Sequence, residues 1–327
     1  MNILVLGGTQ FVGRAIVQEF LKRNNDVTIF HRGKTGADLF PICTHILGDR
    51  NTDIDRVDTQ EWDSIVDVSC YLPDQARSAA NLRTKHYTFI STGSVYEFEG
   101  VEPPLNEETK TSEGQEGIEV TGETYGPMKV RCEEIIREAF PDRFGIVRLG
   151  IVVGPNDHTG RFPYWVSRFD RYEEVLVPDV LDQPIQWINT LDLGEFVADL
   201  AEKRSVGIWN TIRPSLTFGA MIDEIRKQTG HQHEPVMASV DQLNELEVKF
   251  WADLPLTFGE PKTYPLFQFE TKHAESAGLK HQSVEETVAA VLAWCKSGEF
   301  VENSKGGMTR EREESVLRIV KGKNEHS

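Results

Sequence analysis

Basic side chains are in short supply in this chain: 35 Lys and Arg face 52 Asp and Glu, a formal net charge of −17 over 327 residues. Proteins that bind bulk nucleic acid or anionic membrane surfaces present a surplus of Lys and Arg, so no nucleic-acid partner is expected and the acidity reads as solubility. Long apolar runs are missing too. No segment approaches the ~20 residues a membrane span needs, and MNILVL runs straight into a strand pattern with no basic n-region or cleavage site. The expectation is a cytoplasmic chain with no signal peptide. Cysteine is scarce: Cys43, Cys70, Cys132 and Cys295 are scattered without C-x-x-C spacing. That pattern suits reduced thiols rather than a zinc site or a disulfide framework, and Cys132 reads as core packing. Neither metal-ligand spacing nor a Ser-His-Asp arrangement is present.

What is there is alternation. Over the first 150 residues short apolar runs (Ile3–Leu6, Val27–Phe30, His45–Leu47, Ser64–Val68, His86–Ile90, Gly145–Leu149) alternate with helical patterns, as consecutive βα units do. In Arg14–Arg23, Ile16 with Phe20 and Val17 with Leu21 stand at i,i+4, giving one apolar helix face. Continuous apolar strands separated by helices predict an α/β fold, a doubly wound parallel sheet covered on both faces. After Gly154-Pro155 aromatics, prolines and charges mix. The spacing predicts helices over Leu191–Lys203, with Asp192 as a candidate N-cap, over Phe218–Gln228 and over Val284–Cys295, and a strand over Ile208–Thr211. The end of the chain is highly charged, with Thr309–Lys321 as a helix candidate.

The turn after the first strand reads GGTQFVG. A Rossmann turn uses its first Gly for the bend, its second for close approach of backbone to pyrophosphate, and its third for helix–strand packing. Gly7 and Gly13 suit the first and third jobs; Gln10 occupies the middle slot, where its side chain either swings outward or hydrogen-bonds a phosphate oxygen. The phosphates are expected at the N-terminus of the following helix, against Gly7, Thr9, Gln10, Phe11, Val12 and Gly13. NAD selection places Asp or Glu at the end of the second strand, and Arg there accommodates a 2′-phosphate. This chain has His31, Arg32 and Lys34 at that point and no carboxylate, which predicts NADP(H) over NAD(H).

The segment TYGPMKVRCEE sets Tyr125 and Lys129 at i,i+4, on one face if helical, and Pro127 places Tyr125 at the helix entrance. A phenol with a pKa near ~10 is a poor base at neutral pH; a neighbouring ammonium and an oxidised nicotinamide both favour the phenolate. Tyr125 is then a candidate proton carrier during hydride transfer. FISTGSVYEF ends the fifth strand in hydroxyls, Ser91, Thr92 and Ser94, where ligands of such sheets bind.

With GGTQFVG, ILGDR, FISTGSVY, YGPMK and RLGIVVGP in that order, roughly residues 1 to 295 resemble an extended short-chain dehydrogenase/reductase of the NAD-dependent epimerase/dehydratase type. The resemblance implies that Thr92 is the catalytic Ser/Thr, Tyr125 the general acid/base and Lys129 the lysine that binds nicotinamide ribose and tunes the tyrosine. It implies that Asp49, followed by Arg50, lies at the adenine, and that the protein is a homodimer. It further implies a cofactor domain over 1–150, with the chain returning at about 186–212, a substrate-binding region over 151–185 and 213–300, and a charged tail over 301–327. Two features depart from the family. Gln10 resembles the non-glycine middle position of atypical branches such as the chloroplast stem-loop-binding proteins. Thr92-Gly93-Ser94 stands where nucleotide-sugar 4,6-dehydratases carry Thr-Asp-Glu, which disfavours water elimination.

The leading expectation is therefore an NAD(P)-dependent oxidoreductase or epimerase acting on a hydroxyl or ketone of a small substrate, with a sugar derivative as one candidate. The alternative is a catalytically degenerate cofactor sensor or RNA binder on the same fold. RFPYWVSRFDRY supplies candidate substrate contacts in Arg161, Tyr164 and Trp165, alongside Ser94, with core packing as the competing reading. Arg161, Arg168 and Arg171 read as a solvated surface, a phosphate site or a local basic patch.

Overall fold

Ile3, Leu4, Val5 and Leu6 are all fully buried, which a strand achieves only when both faces of its sheet are covered. In the computed structural model, which describes residues 1–260, 268–302 and 305–324, the covering follows the period of two. Ile3 and Val5 enter one core with Ile16, Val17 and Phe20, and Leu4 and Leu6 enter the opposite core with Cys132, Ile135 and Ile136.

The strands β1 (Asn2–Leu6), β2 (Asp26–His31), β3 (Thr44–Leu47), β4 (Ser64–Asp67), β5 (Tyr87–Thr92) and β6 (Phe144–Leu149) form one sheet with Gly207–Thr211. Its order is β3-β2-β1-β4-β5-β6 and then Gly207–Thr211, all parallel. Strand order reverses between β1 and β4, so the crevice beyond their carboxyl ends is the switch point at which such sheets bind ligands. The doubly wound Rossmann fold expected from the apolar alternation is present.

Helix α1 (Phe11–Lys22) and the helix Thr190–Lys203 cover one face. The other is covered by α2 (Pro73–Ala79) and α3 (Tyr125–Ala139). Helix α2 has no counterpart in the periodicity reading; seven residues are too few for an i,i+4 stripe to stand out. Thr190–Lys203 is capped by Asn189, whose side chain accepts from the Leu191 N–H at 2.8 Å, and the expected cap Asp192 sits inside its first turn.

The chain divides into two compact units: 1–152 with 187–213 and 269–281, and 153–186 with 214–268 and 282–327. The segment 269–281, assigned above to the substrate region, thus packs with the sheet. Segment 261–267 of that region, and 303–304 and 325–327 of the charged tail, lie outside the described residues. In the second unit Phe162, Trp165, Phe169 and Phe218 are fully buried or nearly so, with the Trp165 and Phe218 rings edge to face at 5.2 Å.

The tail is no loose charged segment. Arg310–Asn324 is a helix whose Glu313 is buried, pairs with Arg168 Nε at 2.9 Å and accepts from the Leu176 N–H at 3.0 Å. Arg168 also donates to the Met308 carbonyl at 2.7 Å and pairs with Glu302. Breaking a buried pair leaves an uncompensated charge and costs about 3–5 kcal/mol. Glu313→Ala is therefore expected to lower the urea unfolding midpoint of the second unit by that equivalent; an unchanged midpoint contradicts the assignment.

Candidate active site

A Cβ is crowded out at Gly7, Gly8 and Gly13 of the β1–α1 turn. Gly7 has φ of +92°, and a Cβ there would lie 2.7 Å from Ser69 Cβ; a Cβ at Gly13 would lie 2.1 Å from the Gly7 carbonyl oxygen. Gln10 faces no such demand. It is the extended N-cap residue of α1, with φ −139° and ψ 138°, and it is exposed, so the missing middle glycine leaves the turn's backbone intact. Thr9 and Phe11 are buried, and Val12 is half-buried in the first turn of α1, where the helix dipole favours an anion.

The segment after β2 lies over this turn, since a Cβ at Gly36 would come within 2.7 Å of the Thr9 oxygen. Its basic residues divide in two. Arg32 and Lys34 are exposed and make no hydrogen bond or ion pair among the described residues, although both lower the pKa of Asp49. His31 is buried, and the sequence reading of it as a phosphate cation is corrected. Its Nδ1 accepts from the Gly33 N–H at 3.2 Å and its Nε2 meets His45 Nδ1 at 2.9 Å; burial, then His45, lowers its pKa. The ring is neutral and braces the loop that carries Arg32 and Lys34.

Arg50 needs a similar correction. Its guanidinium turns inward and grips Asp67 at 2.7 and 2.9 Å, with Ser69 Oγ and the Gln75 carbonyl as further acceptors. A buried Asp at the end of β4 recruits the only chemistry that stabilises it, so Arg50 serves the strand end rather than a ligand. Asp49 stays half-exposed, its Oδ1 accepting from Asn51 N and Nδ2 at 2.9 and 2.7 Å, which holds its carboxyl below the usual range.

Beyond the ends of β4 and β5 three aromatic and basic groups meet. Tyr125 opens α3 as Pro127 requires. Contact with β5 is intimate: a Cβ at Gly126 would lie 2.1 Å from the Ser94 carbonyl oxygen. Thr92, the last residue of β5, donates to Ser94 Oγ at 3.2 Å, and its hydroxyl lies near enough to Tyr125 to act on the phenol's pKa. Lys129, one turn further, is buried, its ammonium donating to the carbonyls of Cys70 at 2.9 Å and Ile90 at 2.6 Å over the Phe89 ring.

This arrangement corrects the expected tuning of the phenol. Burial raises the Tyr125 pKa above its ordinary value, the Thr92 hydroxyl opposes the rise, and the ammonium's field acts instead on Tyr71. Tyr71 was missed by the sequence reading. It follows β4 in DVSCYLP, stacks obliquely on Tyr125 with centroids 6.4 Å apart, and is 46% exposed. The signal that finds it is the one used for Thr92: a polar side chain just past a strand's carboxyl end, next to the switch point.

Beneath the site, α3 is locked to the sheet. Glu133, one turn past Lys129, accepts from Ser91 Oγ at 2.5 Å and from Arg148 on β6 at 2.7 and 3.1 Å. Arg148 passes the chain of bonds to Tyr96, which donates to Asn210 at 2.7 Å.

Of the candidate substrate residues, Ser94 lies at this site and the other three fall elsewhere. Ser94 lies in the turn after β5, while Tyr164 and Trp165 are buried in the core of the second unit, the Trp165 N–H donating to the Pro255 carbonyl at 2.7 Å. Core packing is the correct reading of both. Arg161 stacks on Trp251, with 5.1 Å to the ring centroid, and Arg168 and Arg171 pair with Glu302, so these arginines form no free basic patch.

Among the described residues no group of His, Cys, Asp and Glu is placed to hold a metal ion, and no helix is long and apolar enough to cross a membrane.

Residues 62–211 match the NAD dependent epimerase/dehydratase family. None of the curated proteins matches the chain in sequence. Among solved structures, the fold is similar to UDP-N-acetylglucosamine 4-epimerase from Methanobrevibacter ruminantium in complex with UDP-N-acetylmuramic acid, at 17% identity and TM-score 0.71 over 91% of this chain and 98% of that one. It is also similar to the Thermotoga maritima UDP-glucose 4-epimerase with UDP-glucose, at 16% identity and TM-score 0.69 over 91% and 99%. A third is the Bordetella bronchiseptica enzyme WbmH in complex with NAD+, at 15% identity and TM-score 0.68 over 90% and 98%. At these identities the likeness is one of fold.

The turn geometry makes a testable distinction. Gln10→Gly is expected to change stability by no more than about 1 kcal/mol, whereas Gly13→Ala, driven against the Gly7 carbonyl, is expected to lower the thermal midpoint sharply. Equal midpoints for the two variants contradict this account.

Proposed function

We propose that the chain, whose residues 62–211 match the NAD dependent epimerase/dehydratase family, is an NADP(H)-dependent oxidoreductase or epimerase of the extended short-chain dehydrogenase/reductase type, acting on a hydroxyl or ketone of a small, sugar-derived substrate. The observation that carries the reading is the convergence of Thr92, the last residue of β5, with Tyr125 at the start of α3, and Lys129 one turn along the same helix. The Gly7–Gly13 turn and the α1 N-terminus would hold the pyrophosphate, Arg32 and Lys34 a 2′-phosphate, and Lys129 the nicotinamide ribose. When bound, the nicotinamide supplies or accepts the hydride.

Thr92 Oγ1 holds the substrate oxygen while Tyr125 Oη gives or takes its proton. Because burial raises the Tyr125 pKa, the phenol is protonated at neutral pH and ready to act as the acid in reduction. In oxidation the phenolate is the active form, so that rate is expected to climb with pH towards the tyrosine pKa, and the reductive rate to fall over the same range. No carboxylate accompanies Thr92 at Gly93 or Ser94, which favours hydride and proton transfer over loss of water.

The test has two parts. Titration calorimetry with NADPH and NADH is expected to show tighter NADPH binding, and Arg32→Ala with Lys34→Ala to weaken NADPH by about ten-fold or more while leaving NADH nearly unchanged. Equal losses for both coenzymes overturn the 2′-phosphate assignment. A panel of nucleotide sugars and small keto and hydroxy compounds is then followed by nicotinamide absorbance and by chromatography of epimers. On whichever substrate turns over, Tyr125→Phe is expected to reduce kcat by about 10²–10⁴-fold with coenzyme affinity retained; full activity in that variant refutes the role.

A further inference from the structure

Cys70 and Cys132 are 62 residues apart in the chain, yet their sulfurs lie 4.0 Å from each other, both fully buried. Cys70 sits in the segment following β4, and Cys132 lies on α3 three residues after Lys129. The same Cys70 whose thiol donates to Cys132 offers its backbone carbonyl to the Lys129 ammonium at 2.9 Å. We propose that Cys70 and Cys132 are a reversible dithiol switch, oxidised by hydrogen peroxide to a disulfide that pulls the Cys70 carbonyl away from Lys129.

The geometry supports the bond. The sulfurs start 4.0 Å apart, and reaching the about 2.05 Å of an S–S bond draws on side-chain rotation and on movement of the segment from Ser69 to Leu72. That segment is superficial: the next residue, Tyr71, is 46% exposed.

The two thiols are also chemically unequal, as a nucleophile and a resolving partner need to be. The Cys70 S–H, then the Lys129 cation, bring the Cys132 thiol below its ordinary pKa against the opposing effect of burial, while burial pushes Cys70 up. The other two cysteines are poor competitors, since burial pushes Cys43 up to about 11 and Cys295 up to about 12.

The Cys132 thiolate attacks one peroxide oxygen. The O–O bond breaks, hydroxide leaves and takes up a proton, and a sulfenic acid forms on Cys132. The Cys70 thiol then loses its proton and attacks that sulfur, the S–O bond breaks, and the second oxygen leaves as water. In sum, two thiols and one peroxide give one disulfide and two waters, the sulfurs being oxidised and the peroxide reduced; a dithiol reductant reverses the bond. Burial selects a small neutral oxidant over a bulky disulfide.

The formation of the bond stands by itself; its effect on coenzyme rests on the placement of Lys129 in the nucleotide site proposed above. The experiment treats the whole folded protein with peroxide, maps its peptides without reduction, and measures NADPH affinity from quenching of tryptophan emission. The expected result is a cross-linked Cys70–Cys132 peptide lighter by two hydrogens and an approximately ten-fold loss of NADPH affinity, both reversed by dithiothreitol. Cys132→Ala is expected to bind NADPH as before and to keep that affinity after peroxide. Two cysteines that remain separately alkylated, or that advance to sulfinic acids without cross-linking, overturn the switch. A cross-link with unchanged NADPH affinity overturns its effect on Lys129. Absence of NADPH binding before any treatment overturns the nucleotide reading, while the peptide map still decides the disulfide.

Discussion

An ammonium taken out of water must find oxygen, and Lys129 finds it on two separate pieces of backbone, the Cys70 carbonyl after β4 and the Ile90 carbonyl within β5. Desolvating an ion costs several kcal/mol unless its donors are satisfied, so these bonds constrain the ends of two strands and one helix together. Thr92, Tyr125 and Tyr71 take their places from that constraint. Glu133 repeats the device one turn deeper, drawing in Ser91 and Arg148, and α3 is thereby held to β5 and β6 by charge as well as by its apolar face.

Buried ions recur wherever this chain joins distant segments. Arg50 with Asp67 binds the loop after β3 to the end of β4, and Arg168 with Glu313 binds the C-terminal helix into the second unit. In each case a long basic side chain that looks available in the sequence is committed to an interior carboxylate. The net acidity of the chain leaves few cations over, and among those singled out at the nucleotide end only Arg32 and Lys34 remain turned to solvent.

The fold was largely legible because period-two and period-3.6 patterns report which faces are covered, and β1, α1 and β5 carry those patterns clearly. Tyr125 and Lys129 were legible for the same reason, since i,i+4 spacing on a helix is a local property. The fate of Gln10 was not, because a one-letter pattern does not say that its backbone is extended and that it caps α1. Nor were His31, Arg50, Tyr164 and Trp165: each has a side chain whose direction is set by a partner far along the chain, His45, Asp67 or the packed core.

By itself, then, the sequence determined the alternating architecture, the glycines of the first turn, and the spacing of a phenol from an amine. Tertiary structure decided which charges stay free, which tyrosine feels the ammonium, and that two cysteines 62 residues apart face each other. The reason is physical. Backbone periodicity is a local property that composition and spacing encode directly, whereas a buried charge or thiol takes whatever partner the completed fold brings within reach.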